Sequence, residues 1–426
     1  MLPGHAIVLL PGVWLGMPGL MPVVLAGGTA AMIIVLARRL AGVSVAVLSV
    51  ALWISQAGQQ RWRASYLSES TTALCWLVGW WCLLRWRDDQ RPRWLLGMAT
   101  VTGLAAVTRP LTALAFAIPA GVVVLRYCWI DRGWRQLGYA LAAGTAILTL
   151  VPLQNLTVLG DWRASPLALY TRQYMPFDRL GFGLDQTRAE LALTPELDTA
   201  FNSLRERHME HMPAALPGVF LDRFRVLTRS VFSSWRAVFI PAAAIGLVVL
   251  PPAGWLAVVT AAGLLLLYLP YAHEAHWSVY YTEAMPIPAM VVAMGVVAVL
   301  HRVGRCERST RWGALGFAAV SLGMAAPELE WSGLFKRAAQ EPLLSFQSRL
   351  ADLPARKMIV FVRYSDGFDG HHSFVHNVAD PFGARVLTAH DLGKQVNDQV
   401  RAAFPDRVAY LFDTGSERLE ELEAVK

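Results

Sequence analysis

The sequence predicts a mainly α protein, a polytopic membrane helical bundle of about ten spans with a small C-terminal α/β extracytoplasmic domain. Three observations predict it. Of the 426 residues, 55% are hydrophobic and only 16% charged, with mean hydropathy +0.40, whereas soluble domains carry roughly 45–50% apolar and about 25% charged residues. The apolar residues gather into runs close to the ~20 residues that a spanning helix needs. The basic residues that make the net charge +7 fall between those runs rather than in one patch, which argues against nucleic acid as a partner and for membrane topology. Sixteen Trp and 33 Gly suit interfacial ring anchors and close helix contacts. The four cysteines, Cys75, Cys82, Cys128 and Cys306, form no C-x-x-C pair, so a disulfide framework or zinc knuckle has little support.

The runs follow in order. Gly19–Ala37 ends at Arg38-Arg39; Val43–Gln60 and Leu67–Leu84 follow, the second closed by the basic stretch RWRDDQRPRW. Trp94–Val107 and Leu111–Leu125 are short and flank a lone Arg109. Gln136–Gly160 has no charge, and Ala237–Ala272, also free of Asp, Glu, Lys and Arg, is divided by Pro251-Pro252. Ala284–Leu300 and Trp312–Ala326 complete the set. Basic clusters after alternate spans (Arg38/Arg39; Arg85/Arg87/Arg91/Arg93; Arg126/Arg132/Arg135; Arg302/Arg305/Arg308/Arg311) assign those loops to the cytoplasm. Gln59–Tyr66, the turn at Arg109, a long loop over about 159–236, Tyr271–Glu283 and the tail then face outward. Residues 1–327 form the transmembrane domain on this reading and 328–426 the extracytoplasmic one. The same orientation puts Met1 outside without a basic n-region or cleavage site. The simplest reading is a missing preceding span; a native outside N-terminus is the alternative.

In the tail, KMIVFVRY, ARVLTAHDL and DRVAYLFD read as short strands, with a helix over Gly393–Phe404. Such a unit is too small for a cofactor fold. No phosphate-cradling GxxxxGK[ST] occurs, and Gly181-Phe-Gly183 does not follow a strand, so no cofactor is expected. SDGFDGHHSFVHNVAD gathers His371, His372, His376, Asp366, Asp369 and Asp380 without regular ligand spacing, which reads as a solvated loop rather than a metal site.

Ionisable groups at membrane depth or in short outer loops are costly and mark candidate sites. WRASYLSES holds Arg61, Arg63 and Tyr66 ahead of Glu69; Arg109 stands alone in TRP; AHEAHWSVYYTE packs His273, Glu274, His276, Tyr280, Tyr281 and Glu283 into one outer loop. DWRASPLALYTRQYMPFDRLGFG adds Asp161, Arg163, Tyr170, Tyr174 and Asp178. Each has a plainer alternative: headgroup snorkelling for Arg61 and Arg63, a helix cap for Arg109, an interhelical Arg–Glu pair for Glu69, interface anchors for the tyrosines.

Several of these strings together resemble the integral-membrane glycosyltransferases of the C-type fold, the relatives of protein mannosyltransferases and lipid A aminoarabinose transferases. LPGHAIVLLPGVWLGMPGLMPVVLAG resembles their PPGH-plus-GxPW segment and GLAAVTRPLTALAFAIPAG their TRP hairpin. SPLALYTRQYMPFDRLGFG, WSVYYTEAMPIPAM and the tail segments resemble those of a bacterial subgroup. The resemblance implies transfer of a sugar from a polyprenyl-phosphate carrier to a glycan, lipid or protein acceptor at the outer face of the plasma (inner) membrane, among membrane lipids. Such chemistry needs a carboxylate to take the acceptor proton and cations for charge growing on the departing phosphate. Arg63 and Arg109 are the candidate phosphate contacts, Tyr281 and His276 line the pocket, and Glu69 and Glu283 are acceptor or sugar contacts. The family's catalytic acidic residue lies in the first outer loop, upstream of Met1 here, so the chain as given is expected to lack its base. Two other classes compete: a lipid or sugar transporter, which would show internal repeats not seen here, and a non-catalytic membrane protein.

Overall fold

In the computed structural model the described residues are 2–56, 65–131, 133–184, 189–191, 193–304, 306–354, 356–365, 373–378 and 380–423. The chain forms two compact units, one of Met1–Leu169, Leu180–Gly183 and His211–Ser332, the other of Tyr170–Arg179, Leu184–Glu210 and Gly333–Lys426.

The first unit is all helical. It contains α1 (Pro3–Trp14), α2 (Leu20–Ala41), α3 (Val43–Ser55), α4 (Glu69–Asp89), α5 (Pro92–Ala106), α6 (Pro110–Asp131), α7 (Trp134–Leu148) and α8 (Leu150–Leu159). Helix boundaries follow local chemistry. Arg38 and Arg39 occupy the last turn of α2, where cations meet the negative end of the helix dipole. Gly42 then takes φ +90°, a backbone that side chains rarely adopt, and α3 starts at once. Proline opens α5 at Pro92, at a position where a missing N–H costs nothing. The charge-free run 136–160 forms one spanning helical stretch, Trp134–Leu159, made of α7 and α8 with the single turn residue Thr149 between them.

Among the described residues, four helical stretches are long and apolar enough to cross a membrane: Leu20–Ala41, Pro110–Ile130, Trp134–Leu159 and Pro286–Val303. A fifth arises if a pair bent by 99°, Pro213–Phe232 with Ser234–Val248, counts as one span. α3 and Pro252–Leu267 are apolar but shorter. Of the best window of Pro286–Val303, 56% is buried, against 6% for Trp134–Leu159; the former is a central helix and the latter peripheral. The core joins Ile33, Leu36, Leu48, Trp76, Leu83, Trp86, Leu264, Met290 and Ala293.

The region read as one long outer loop holds three helices, α9 (Pro166–Tyr174), α10 (Pro195–Glu210) and α11 (Leu216–Phe232). Around α10, Met175, Phe177 and Phe201 form a small core of their own, so this segment of the second unit is ordered by apolar burial. α12 (Ile240–Val248) and α13 (Pro252–Leu267) follow in the first unit, separated at Pro251-Pro252 as expected because Pro251 is extended (ψ 154°) and Pro252 opens the next helix. α14 (Pro286–Val303) is crossed by α12 at Gly246 and Gly295, where a Cβ on either would overlap backbone of the other helix.

α15 runs from Glu307 to Asp352. It does not stop at Pro327, where the composition changes, because the residues beyond it are rich in strong helix formers. The three predicted strands exist as β1 (Met358–Arg363), β2 (Val386–His390) and β3 (Val408–Asp413), and α16 (Lys394–Ala403) fills the predicted helix. A fourth, β4 (Arg418–Glu421), completes a sheet of order β2-β1-β3-β4. β2 and β3 flank β1 in parallel, with Ile359 opposite Leu387 and Ala409, and β4 pairs antiparallel with β3. β1 is buried at every position but its last, as a strand covered on both faces must be. Phe346 and Leu350 of α15 cover the Met358/Val360/Val362 face, and Val400 and Phe404 cover the Ile359/Phe361 face.

Candidate functional site

Three strings that lie far apart in the chain meet in the first unit. Pro110 starts α6 and biases the residue before it away from helix, so Val107-Thr108-Arg109 makes the turn between α5 and α6; the Arg109 carbonyl accepts from Ala113 N–H (3.0 Å). The N-terminal Pro3-Gly4-His5 segment is fastened to this turn: Gly4 N–H donates to the Val107 carbonyl at 2.9 Å. A Cβ on Gly4 would collide with the Thr108 hydroxyl, so only glycine permits that approach. His5 Nε2–H donates to the Tyr66 carbonyl (2.7 Å), which leaves Nδ1 to accept the Thr71 hydroxyl (2.8 Å).

Arg109 is buried, 8% exposed. Its Nη1 donates to Glu69 and pairs with it as an ion pair, its Nη2 donates to the Tyr268 hydroxyl at 2.9 Å, and its Nε stands 3.8 Å from Glu283 Oε1. The guanidinium also lies 5.7 and 5.4 Å from the ring centres of Tyr268 and Tyr280, within cation–π range. Glu283 Oε1 accepts from the Thr72 hydroxyl at 2.6 Å. One guanidinium thus meets two buried carboxylates, and Oε2 of both Glu69 and Glu283 lacks a hydrogen-bond partner among the described residues. Each terminal nitrogen of Arg109 makes one hydrogen bond, which leaves it a second N–H.

Further hydrogen bonds steady the aromatic side of the cluster. Arg223 is 1% exposed; it donates to the carbonyls of Tyr268 and Tyr271 at 2.7 Å each, closing the C-terminal end of α13, and to the Tyr281 hydroxyl at 3.4 Å. His273 Nδ1–H donates to the Glu274 carbonyl (2.7 Å), so Nε2 accepts the Tyr281 hydroxyl (2.9 Å). On the neighbouring loop, burial lowers the basicity of His211; its bond to the Leu269 carbonyl opposes this and nearby Arg223 adds to it, so the net shift is downward.

Of the predicted site residues, Glu69, Arg109 and Glu283 come together, and Tyr281 joins them through Arg223 and Tyr268. His276 is 67% exposed beside Glu274 and Trp277; the histidine in contact with Tyr281 is His273. Arg63, with Arg61, lies outside the described residues, as do His371, His372, Asp366 and Asp369. Among the described residues no group of three or more His, Cys, Asp or Glu could hold a metal ion. Sequence reasoning missed Thr72, Tyr268 and Arg223 as site residues. Tyr268 ends an apolar run and reads as an interface anchor, and nothing local separates Arg223 from the exposed Arg225 and Arg229 on the same helix.

No protein-family model matches the chain, and no curated protein does. Among solved structures, ArnT from Cupriavidus metallidurans bound to undecaprenyl phosphate is similar over 97% of this chain and 79% of its own, at TM-score 0.51 and 14% identity. ArnT from the same organism in the apo state is similar over 96% and 82%, at TM-score 0.51 and 13% identity. The chain has the C-type glycosyltransferase fold. That fold accommodates both the multi-span helical bundle and the small α/β unit after it, and the buried Arg109–Glu69–Glu283 cluster lies in its first unit.

Proposed function

We propose that the protein is a membrane glycosyltransferase that moves a sugar from a polyprenyl-phosphate carrier to a glycan, lipid or protein acceptor on the outer side of the plasma membrane. The observation that carries the reading is the buried cluster of Arg109, Glu69 and Glu283 inside a C-type fold. Arg109 keeps an N–H on each terminal nitrogen for phosphate oxygens, and guanidinium suits that geometry. The unpartnered Oε2 atoms of Glu69 and Glu283 can accept from hydroxyl groups of a sugar or acceptor. Tyr268 and Tyr280 wall the guanidinium, and Tyr281, Arg63 and His276 are further contacts of the same reading. The likeness to ArnT bound to undecaprenyl phosphate supports a lipid-phosphate donor. The C-terminal unit belongs on the outer side in this arrangement.

The test is transfer of labelled sugar from a polyprenyl-phosphate donor in membranes holding the protein, normalised to folded protein. Arg109→Ala should reduce transfer about 10²–10³-fold, the usual cost of a lost charge-stabilising donor, and Arg109→Lys should retain part of it. Unchanged turnover in Arg109→Ala removes the phosphate assignment. Movement of the intact sugar lipid across the bilayer without transfer would establish a transporter instead. A non-catalytic reading draws on one observation, that two carboxylates already satisfy Arg109; it expects no transfer from the wild type.

A further inference from the structure

The second unit contains a cavity of about 650 Å³, in the range of about 300–1,000 Å³ typical of small-molecule sites. It opens where the chain leaves the parallel strands. Phe374 and Val375, following β1, pack on the face covered by Phe346, whereas α16, following β2, packs Val400 and Phe404 on the opposite face. Connections that leave adjacent strands over opposite faces make the crevice where open α/β sheets bind ligands.

The lining decides the ligand class. Leu411 and Leu422 provide an apolar floor. Three cations, Arg363, Lys394 and Arg401, face three carboxylates, Asp391, Asp398 and Glu423. Arg363 bonds Asp391 through Nε alone (2.7 Å), and Arg401 Nη1 bonds Asp398 Oδ1 (3.3 Å). The Arg363 terminal nitrogens, Lys394 Nζ and the Glu423 carboxylate have no hydrogen-bond partner among the described residues. With formal charge balanced, a phosphate or nucleotide would meet as much repulsion as attraction, and a purely apolar ligand would strand the charged rim. A neutral polyhydroxyl compound, whose every hydroxyl both donates and accepts, uses donors and acceptors together. We infer that this cavity is a binding site for a neutral saccharide, separate from the Arg109 cluster.

Saturation-transfer NMR on the full chain in lipid nanodiscs, free of sugar-based detergent, tests it with the methyl glycosides of glucose, galactose, mannose and N-acetylglucosamine as probes. At least one should receive saturation. Leu422→Trp, which fills the cavity without removing a hydrogen bond, and the double substitution Lys394→Ala/Glu423→Ala should each weaken binding at least about tenfold, ~1.4 kcal/mol. Added inorganic phosphate should not displace the sugar. Absence of any signal, a signal that survives both variants, or displacement by phosphate would each overturn the inference. Binding is read without catalysis, so either result leaves the transferase reading to its own assay.

Discussion

Arg109 carries a full charge into a place shielded from water, and its neighbours are arranged around that fact. Two carboxylates, a phenol and two aromatic faces surround it. Removing one partner from such a group leaves a buried charge uncompensated, which is costly. The hydroxyls at the start of α4 offer a graded comparison. Thr72 donates to the Glu283 carboxylate, whereas Thr71 serves the neutral His5 ring. Bonds to charged groups contribute about 1.5–3 kcal/mol and neutral ones about 0.5–1.5. Thr72→Val should therefore lower the thermal midpoint more than Thr71→Val in the same lipid; an equal or reversed order would show that Glu283 does not depend on Thr72. Of this group the sequence displayed the lone charges in apolar surroundings, Arg109, Glu69 and Glu283. It did not display Thr72 or Tyr268, since threonines at helix starts and tyrosines at the ends of apolar runs are everywhere in such chains.

At the scale of elements, close packing of α12 on α14 rests on two glycines. A methyl group on Gly246 would overlap the Val291 carbonyl, and one on Gly295 the Ala242 carbonyl. Small residues let helices approach where the membrane supplies no hydrophobic drive between them. Gly246→Ala should cost about 1–3 kcal/mol, as overpacking does. Gly27→Ala on α2 meets nothing within 4 Å and should instead stabilise by about 0.5–1 kcal/mol through helix propensity. Thermal unfolding of the two variants checks the opposite signs, and loss of stability in both would refute the close-approach argument. Element positions were legible wherever the signal is local: prolines at 251 and 252 dividing two helices, Val- and Phe-rich runs forming strands. The continuation of α15 past Pro327 was not, because it overrides a composition change and a proline that read as an end.

At the scale of the whole molecule, the α/β unit has an acid-sensitive point of its own. Burial pushes the Asp391 carboxyl up, but hydrogen bonds from Asn397, Arg363 and the Gly393 N–H outweigh it and hold the group below the usual carboxylate range. A carboxyl depressed in the folded state adds stability above its unfolded pKa, about 3.9, and loses it as pH falls through the folded value. Proteolytic susceptibility of β1 and β2 should thus separate wild type from Asp391→Asn near neutral pH and converge below about pH 4; a constant gap would mean the carboxylate is not the stabilising form. By itself the sequence determined that the chain is a helical membrane bundle with a terminal α/β unit, and which charges are out of place in it, because hydropathy, strand propensity and charge spacing are properties of neighbouring residues. Only the tertiary structure decided that Glu69, Arg109 and Glu283 share one buried cluster roofed by Tyr268, and that the Pro3-Gly4-His5 segment is tied to the turn at Arg109. Those pairings join positions up to 174 residues apart, and the balance between burying a charge and neutralising it is struck only where the helices meet.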